Sequence, residues 1–242
     1  MKPLYVPAGK AREYGDLVVN PYIGCPHGCV YCYAPNVLHK PKGVFHSFVQ
    51  PRKNIVEEVK KQIDKEQISG KLIHLGFVCD VYPIGYDSSV TREIIKVIKD
   101  SGNNVQILTK GGKIAERDFD LLGEKDWFGV SITGGWEENE PNAAPETERY
   151  KTIRIAKKNG INTWVSFEPV YQDWLVFSYI EYGFIDLYRI GKLNYAKSHI
   201  DWAKFGEECE RLCKLHNRNY VIKDGLRAEM NKSGCAESSV LN

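Results

Sequence analysis

No stretch of this 242-residue chain approaches the eighteen or so consecutive apolar residues of a membrane span, so no transmembrane helix is predicted. The first residues, Met1-Lys-Pro-Leu-Tyr-Val-Pro7, lack the apolar core of a signal peptide. Charge of one sign is not in excess either. With 33 basic and 31 acidic residues the formal net charge is +2, and no strongly basic stripe marks a protein that lives on phosphate contacts. Lys40, Lys42, Arg52 and Lys53 form a local basic group that reads first as a solvated face before a helix. Biased tracts, internal linkers and short repeats are missing too. The composition, 43% hydrophobic and 26% charged, is ordinary for a soluble globular protein. Seven cysteines without an export signal point to a reducing compartment, and a cytoplasmic location is expected.

What the chain does have is a tight group of three cysteines. Cys25, Cys29 and Cys32 lie in Asn20-Pro-Tyr-Ile-Gly-Cys-Pro-His-Gly-Cys-Val-Tyr-Cys-Tyr-Ala34, a CxxxCxxC spacing in a loop rich in Gly and Pro. Thiolates packed that closely can converge on one metal centre. A four-iron cubane normally takes four such ligands, and the local group supplies three. One iron would then be open to a ligand that is not protein, as in a reactive cluster rather than an electron carrier. A structural zinc site is the first alternative, but it wants four closed ligands, and His27 is too near in sequence for easy tetrahedral closure. Disulfides are the second alternative, and seven cysteines leave one unpaired.

The rest of the chain alternates between short apolar runs and helical periodicity. Strands are predicted at 17–19, 72–78, 105–109, 128–132, 163–167, 184–190 and 220–222. Helices are predicted at 54–65, around 90–98, and at 114–122, 146–158, 174–182 and 201–215, with Asn159-Gly160 stopping the fourth. A polar, Pro-rich excursion covers 137–145. Six βα units with right-handed crossovers predict an α/β fold, a parallel sheet coiled into an open (β/α)6 partial TIM barrel. A single domain over 1–242 is expected, with the barrel core at about 17–190 and a C-terminal helix and short strand within 195–242. Ligands of such sheets gather at the carboxyl ends of the strands.

The cysteine loop after the first strand, together with Asp80-Val-Tyr-Pro83, Thr109-Lys110, Arg117-Asp118, Leu121-Leu122 and Ser131-Ile-Thr133, resembles the radical S-adenosylmethionine superfamily. Within it, the spore photoproduct lyase-like branch, also labelled DNA repair photolyase-like, is the most similar. The resemblance implies a 4Fe–4S cluster on Cys25, Cys29 and Cys32 with S-adenosylmethionine chelating the fourth iron. Reductive cleavage of that cofactor would yield a 5′-deoxyadenosyl radical that takes a hydrogen atom from substrate. It implies a low-potential electron donor such as flavodoxin or ferredoxin.

The same resemblance assigns roles to single residues. Tyr31 would pack near the cluster and adenine, and Tyr33 would join a hydrogen-atom relay; loop aromatics that shield the cluster are the alternative for both. Lys110 would meet the cofactor carboxylate, as a salt-bridged hydrogen bond, with a surface lysine as the alternative. Ser131 and Thr133 end the fourth strand, where hydroxyls bond ribose or methionine, or merely satisfy backbone. Asp80 bonds the methionine amine or initiates the turn with Pro83. Glu168, after the fifth strand, points by barrel logic toward the cavity, where it would contact the cofactor ribose or serve the substrate. Arg149 and Arg189 read as ion-pair partners.

Some residues depart from the pattern. The lyase's hydrogen-donating cysteine falls by alignment on Phe77, with Cys79 two residues on as a displaced donor or a small buried hydrophobe. A long C-terminal extension for handling a DNA lesion is not seen. Cys209, Cys213 and Cys235 fall one thiolate short of an auxiliary cluster, and the first two share a helix face with i, i+4 spacing. Lys192 and Asn194 would stand at the cavity mouth. The substrate is left open among a nucleic-acid base or lesion, a peptide and a small molecule, with nucleic acid first by resemblance. A non-catalytic iron–sulfur or zinc module is the alternative of another class.

Overall fold

The computed structural model describes residues 2–194 and 196–237, without the side chains of Lys10 and residues 233–237, so Tyr195 and the Cys235 thiol lie outside the described residues. The chain forms two compact units, residues 1–130 with 137–163, and residues 131–136 with 164–242.

In the first unit the strands are β1 (Leu4–Tyr5), β2 (Leu17–Val19), β3 (Tyr22–Ile23), β4 (Gln50–Pro51), β5 (Leu72–Leu75), β6 (Asn104–Thr109) and β7 (Trp127–Ser131), the last residue of which passes into the second unit. Strands β2, β5, β6 and β7 run parallel, in a register that sets Val18 beside His74, Ile73 beside Val105, and Ile107 beside Phe128. β1 pairs antiparallel with β2, and β3 with β4. Val18, Ile73, Leu75, Val105, Ile107, Phe128 and Val130 are all fully buried. That is why these strands read as continuous apolar runs rather than alternating ones. The helices are α1 (Ala34–Val37), α2 (Lys42–His46), α3 (Ile55–Glu66), α4 (Ser89–Asp100) and α5 (Glu146–Lys158). The buried faces of α3 (Ile55, Val59, Ile63) and α4 (Ile94, Ile95, Ile98) follow the helical period that the sequence shows. Each such side chain contributes roughly 1.5–3 kcal/mol on burial.

The second unit holds most of β8 (Asn162–Phe167), then α6 (Asp173–Tyr182), β9 (Leu187–Ile190), α7 (Trp202–Leu215), β10 (Tyr220–Ile222) and α8 (Asp224–Glu237). β9 pairs in parallel with β8 and with β10. α7 begins at Asp201, whose carboxylate accepts the backbone N–H groups of Ala203 and Lys204, each at 3.2 Å. Its buried face carries Cys209, Leu212 and Cys213. Where α7 meets α8 the backbones are close: a Cβ on Gly206 would lie 2.5 Å from the Met230 sulfur.

Three boundaries differ from the sequence expectation. The strand predicted over 72–78 stops at Leu75, because Gly76 takes a left-handed conformation (φ +81) and the next amides, of Phe77 and Val78, donate to Asn20 Oδ1 at 2.8 and 3.0 Å. The helix predicted at 114–122 is a 3-10 stretch over Gly112–Leu121, with Gly112, Ala115, Asp118 and Phe119 buried. The strand predicted from 184 begins at Leu187. The two-residue strands β1, β3 and β4, and the helices α1, α2 and α8, were not signalled by periodicity.

Candidate active site

The cysteine loop joins β3 to α1 in the first unit. Two glycines let it fold back on itself. Gly24 has φ +84, and a Cβ there would stand 2.1 Å from the Phe48 carbonyl oxygen; Gly28 has φ +69. The Cys25 amide donates to Phe45 O at 3.3 Å, the Cys32 amide to Cys29 O at 3.1 Å, and His46 Nδ1 lies 2.8 Å from Cys25 O. The excursion 137–145 fastens the loop from outside. Val30 N–H donates to Asn139 O (2.9 Å), Asn142 N–H to His27 O (3.2 Å), and Asn142 Nδ2 to Pro26 O (3.0 Å).

Cys29 is buried, and Cys25 and Cys32 are partly so; all three are free thiols. Burial pushes each thiol above its ordinary range, and the Lys110 ammonium opposes this at Cys29 and Cys32. Lys110 follows β6. Its Nζ lies 5.6 Å from the centre of the Tyr31 ring and 4.0 Å from Glu140 Oε1. Burial pulls this lysine down, but Cys29 and Glu140 outweigh it and hold its affinity for the proton above the usual lysine range.

Glu140, from the excursion, is the residue that sequence reasoning missed. It is buried, it accepts the Tyr31 hydroxyl proton at Oε1, and its Oε2 lies 2.5 Å from Arg149 Nη2. Arg149, only 1% exposed on the inner face of α5, also donates from Nε to Ala144 O at 2.7 Å. Burial works against the Glu140 charge, yet Lys110 and Arg149 hold the carboxyl below its usual range. One signal could have found it. Arg149 shares a helix face with Thr152, Ile153 and Ala156, and a cation on a buried face requires a carboxylate.

The other predicted residues of this unit are placed as follows. Asp80 accepts from Tyr82 N (2.9 Å), Thr109 Oγ1 (2.6 Å) and Lys110 N (2.7 Å), and His27 Nδ1 lies 3.4 Å away. Its oxygens are engaged by the turn and by the end of β6, which favours the turn-forming alternative. Tyr33 is half exposed, with its hydroxyl donating to Phe77 O at 2.7 Å. Cys79 is buried, and burial pushes its thiol up to about 12. In the second unit, Ser131 and Thr133 are buried, and Thr133 Oγ1 accepts Gly135 N–H at 3.1 Å. Glu168 accepts from Asn194 Nδ2 at 2.9 Å and pairs with buried Lys223, while Lys192 pairs with Glu229. Arg189 stacks its guanidinium 5.5 Å from the Trp164 ring. Cys209 and Cys213 are sealed within the α7 face.

The donor set of the loop suits an iron–sulfur group. Three free thiols share one short loop with a charged lysine nearby, a cation that complements thiolate charge. Among the described residues no three His, Cys, Asp or Glu side chains are gathered for a single metal ion.

The α/β unit order, the three-thiol loop after β3 and the strand-end lysine are features to set beside known families. The sequence model of the Radical SAM superfamily matches residues 19–172, well over half of the chain. The chain belongs to this superfamily, and is thereby an enzyme of the radical S-adenosylmethionine class. The uncharacterized protein MJ0683 of Methanocaldococcus jannaschii is 30% identical over 188 residues, 74% of this chain and 68% of that protein. The uncharacterized protein ORF301 of Acidianus two-tailed virus is 30% identical over 184 residues, 67% of this chain and 59% of its own length, so the chain spans less than two thirds of that relative. A spore photoproduct lyase variant superposes with a TM-score of 0.68 at 14% identity, over 91% of this chain and 79% of the lyase. SuiB of Streptococcus suis, bound to its precursor peptide SuiA, superposes with a TM-score of 0.63 at 10% identity, over 84% of this chain and 47% of SuiB. At these identities the likeness shows the fold, the α/β class expected from the βα series. The superfamily implies a 4Fe–4S cluster and S-adenosylmethionine, and SuiB has been solved with the latter bound.

Proposed function

We propose that Cys25, Cys29 and Cys32 hold the cluster of this enzyme and that its substrate is a nucleic-acid base or lesion. The observation that carries the first part is the convergence of one cysteine loop, the Tyr31 ring and the Lys110 ammonium in a single buried neighbourhood. When bound, the cluster and S-adenosylmethionine supply a 5′-deoxyadenosyl radical that abstracts hydrogen.

The remaining work belongs to the chain. Lys110 is a charged, largely buried donor for the cofactor carboxylate, and Asp80 fixes its backbone by accepting its N–H. Tyr31 covers the loop, and excursion 137–145 closes it from outside. Cys79 is kept as S–H by burial, the form that can return a hydrogen atom, and Tyr33 is hydrogen-bonded to Phe77, two residues before it. The nucleic-acid assignment is supported by the likeness to spore photoproduct lyase, which covers more of both chains than the likeness to SuiB does. A low-potential one-electron donor completes the reaction.

Anaerobic reconstitution tests this. The wild-type chain is expected to take up about four irons and to release 5′-deoxyadenosine with dithionite, and Cys25→Ala, Cys29→Ala and Cys32→Ala each to lose both. Zinc in place of iron, or intact S-adenosylmethionine after reduction, would sink the assignment. Deuterium carried from substrate into 5′-deoxyadenosine, with labelled oligonucleotides set against labelled peptides, decides the substrate class. Transfer from peptide alone would overturn the nucleic-acid reading.

A further inference from the structure

We propose that Glu140, locked by Arg149, is a positioning residue that holds the Tyr31 hydroxyl and the Lys110 ammonium in place beside Cys29 and so sets how readily a cluster on the three cysteines accepts an electron. The inference rests on the reading of those cysteines as cluster ligands.

The two oxygens of Glu140 face different partners: Oε1 takes the proton of Tyr31, and Oε2 takes Arg149 at 2.5 Å. Arg149 is anchored in turn through Nε to Ala144 O (2.7 Å), and the Ala144 amide donates to Lys110 O (2.9 Å), so the carboxylate and the lysine backbone share one frame. Lys110 Nζ stands 4.0 Å from Oε1, near enough to be drawn by charge and too far for a hydrogen bond. The Tyr31 hydroxyl is turned toward Glu140 Oε1, and its single proton can serve one acceptor at a time. The Glu140 carboxylate claims it.

The sign of the effect follows from elementary electrostatics. Hydrogen bonds to cluster sulfurs and nearby cations favour the reduced, more negative cluster, and a nearby anion opposes it. Arg149, Glu140 and Lys110 together carry one net positive charge in this neighbourhood. Replacing Glu140 by Gln keeps the volume and an oxygen for Arg149, but it removes the anion. The new amide N–H can donate to the Tyr31 oxygen and turn the hydroxyl proton toward Cys29. Both changes make the cluster easier to reduce. Lys110→Met removes a cation at similar volume and acts the other way.

The experiment is a potentiometric titration of the reconstituted clusters without S-adenosylmethionine. Dithionite is the one-electron donor, and the reduced cluster is followed by electron paramagnetic resonance. Wild type, Glu140→Gln, Glu140→Asp and Lys110→Met are compared at equal iron content and with far-ultraviolet circular dichroism as a check on folding. The midpoint is expected to move to higher potential in Glu140→Gln, to stay near wild type in Glu140→Asp, which keeps the charge, and to move lower in Lys110→Met. A Glu140→Gln midpoint equal to or below wild type overturns the proposal. Should that variant fail to take up iron, Lys110→Met decides, and an unshifted midpoint there overturns it. A wild-type chain without an iron–sulfur signal would be a different failure, removing the cluster reading and this inference with it.

Discussion

Gly24 shows how much of the ligand loop depends on a single position. Its φ of +84 is costly for any residue with a Cβ, and that Cβ would collide with the Phe48 carbonyl at 2.1 Å, a backbone atom that cannot swing aside. Gly24→Ala is expected to destabilise the first unit by on the order of 1–3 kcal/mol, read by urea unfolding of the iron-free protein, and to lower the iron content after reconstitution. Among the candidate site residues, those in contiguous motifs could be proposed from the sequence. The cysteines are proposed from their spacing, and Lys110 from the resemblance of Thr109-Lys110 to the superfamily. Glu140 was not legible, because its meaning lies in Tyr31 and Arg149, and Tyr31 is 109 residues away along the chain. Asp80 was legible with two alternative roles, and the fold fills its acceptors with amides and a hydroxyl from the turn and from the end of β6.

At the scale of elements, the strands and amphipathic helices were readable wherever burial imposes a repeating pattern. β6, α5 and β10 begin and end within a residue of where apolar periodicity places them. Elements that exist by pairing or capping were not. β3 and β4 are two residues each, too short for any period, and are defined by each other. The 3-10 stretch at Gly112–Leu121 carries helical composition, and its buried residues, Gly112, Ala115, Asp118 and Phe119, suit either helix, so only the backbone hydrogen bonding separates it from an α-helix. α7 begins on a cap the sequence does contain, Asp201. Asp201→Ala is expected to cost about 0.5–2 kcal/mol, seen as a lower midpoint in thermal unfolding with no change in cluster content. An unchanged unfolding midpoint in this variant would contradict the cap assignment.

For the molecule as a whole, the large apolar interiors lie outside the cysteine loop. Each unit has its own apolar interior, with Ile73, Val105, Phe128 and Ile153 in one and Trp164, Phe167, Tyr188 and Leu212 in the other. None of these residues belongs to the cysteine loop. Removing iron with a chelator is therefore expected to leave the far-ultraviolet circular dichroism spectrum and a cooperative melt in place, unlike a small zinc domain that unfolds without its metal. Loss of secondary structure on chelation would contradict this. No helix among the described residues is long and apolar enough to cross a membrane.

The excursion 137–145 has a consequence for how the protein is made. The three cysteines leave the ribosome more than a hundred residues ahead of the segment that closes over them, because Asn139, Glu140 and Asn142 supply the contacts to Val30, Tyr31 and His27. During that interval the thiols are in a loop without its cover, open to oxidation and to stray metals. The cover of the cysteine loop is thus completed only late in synthesis. A truncated chain ending before residue 137 would carry every ligand of the proposed cluster without the excursion that encloses them.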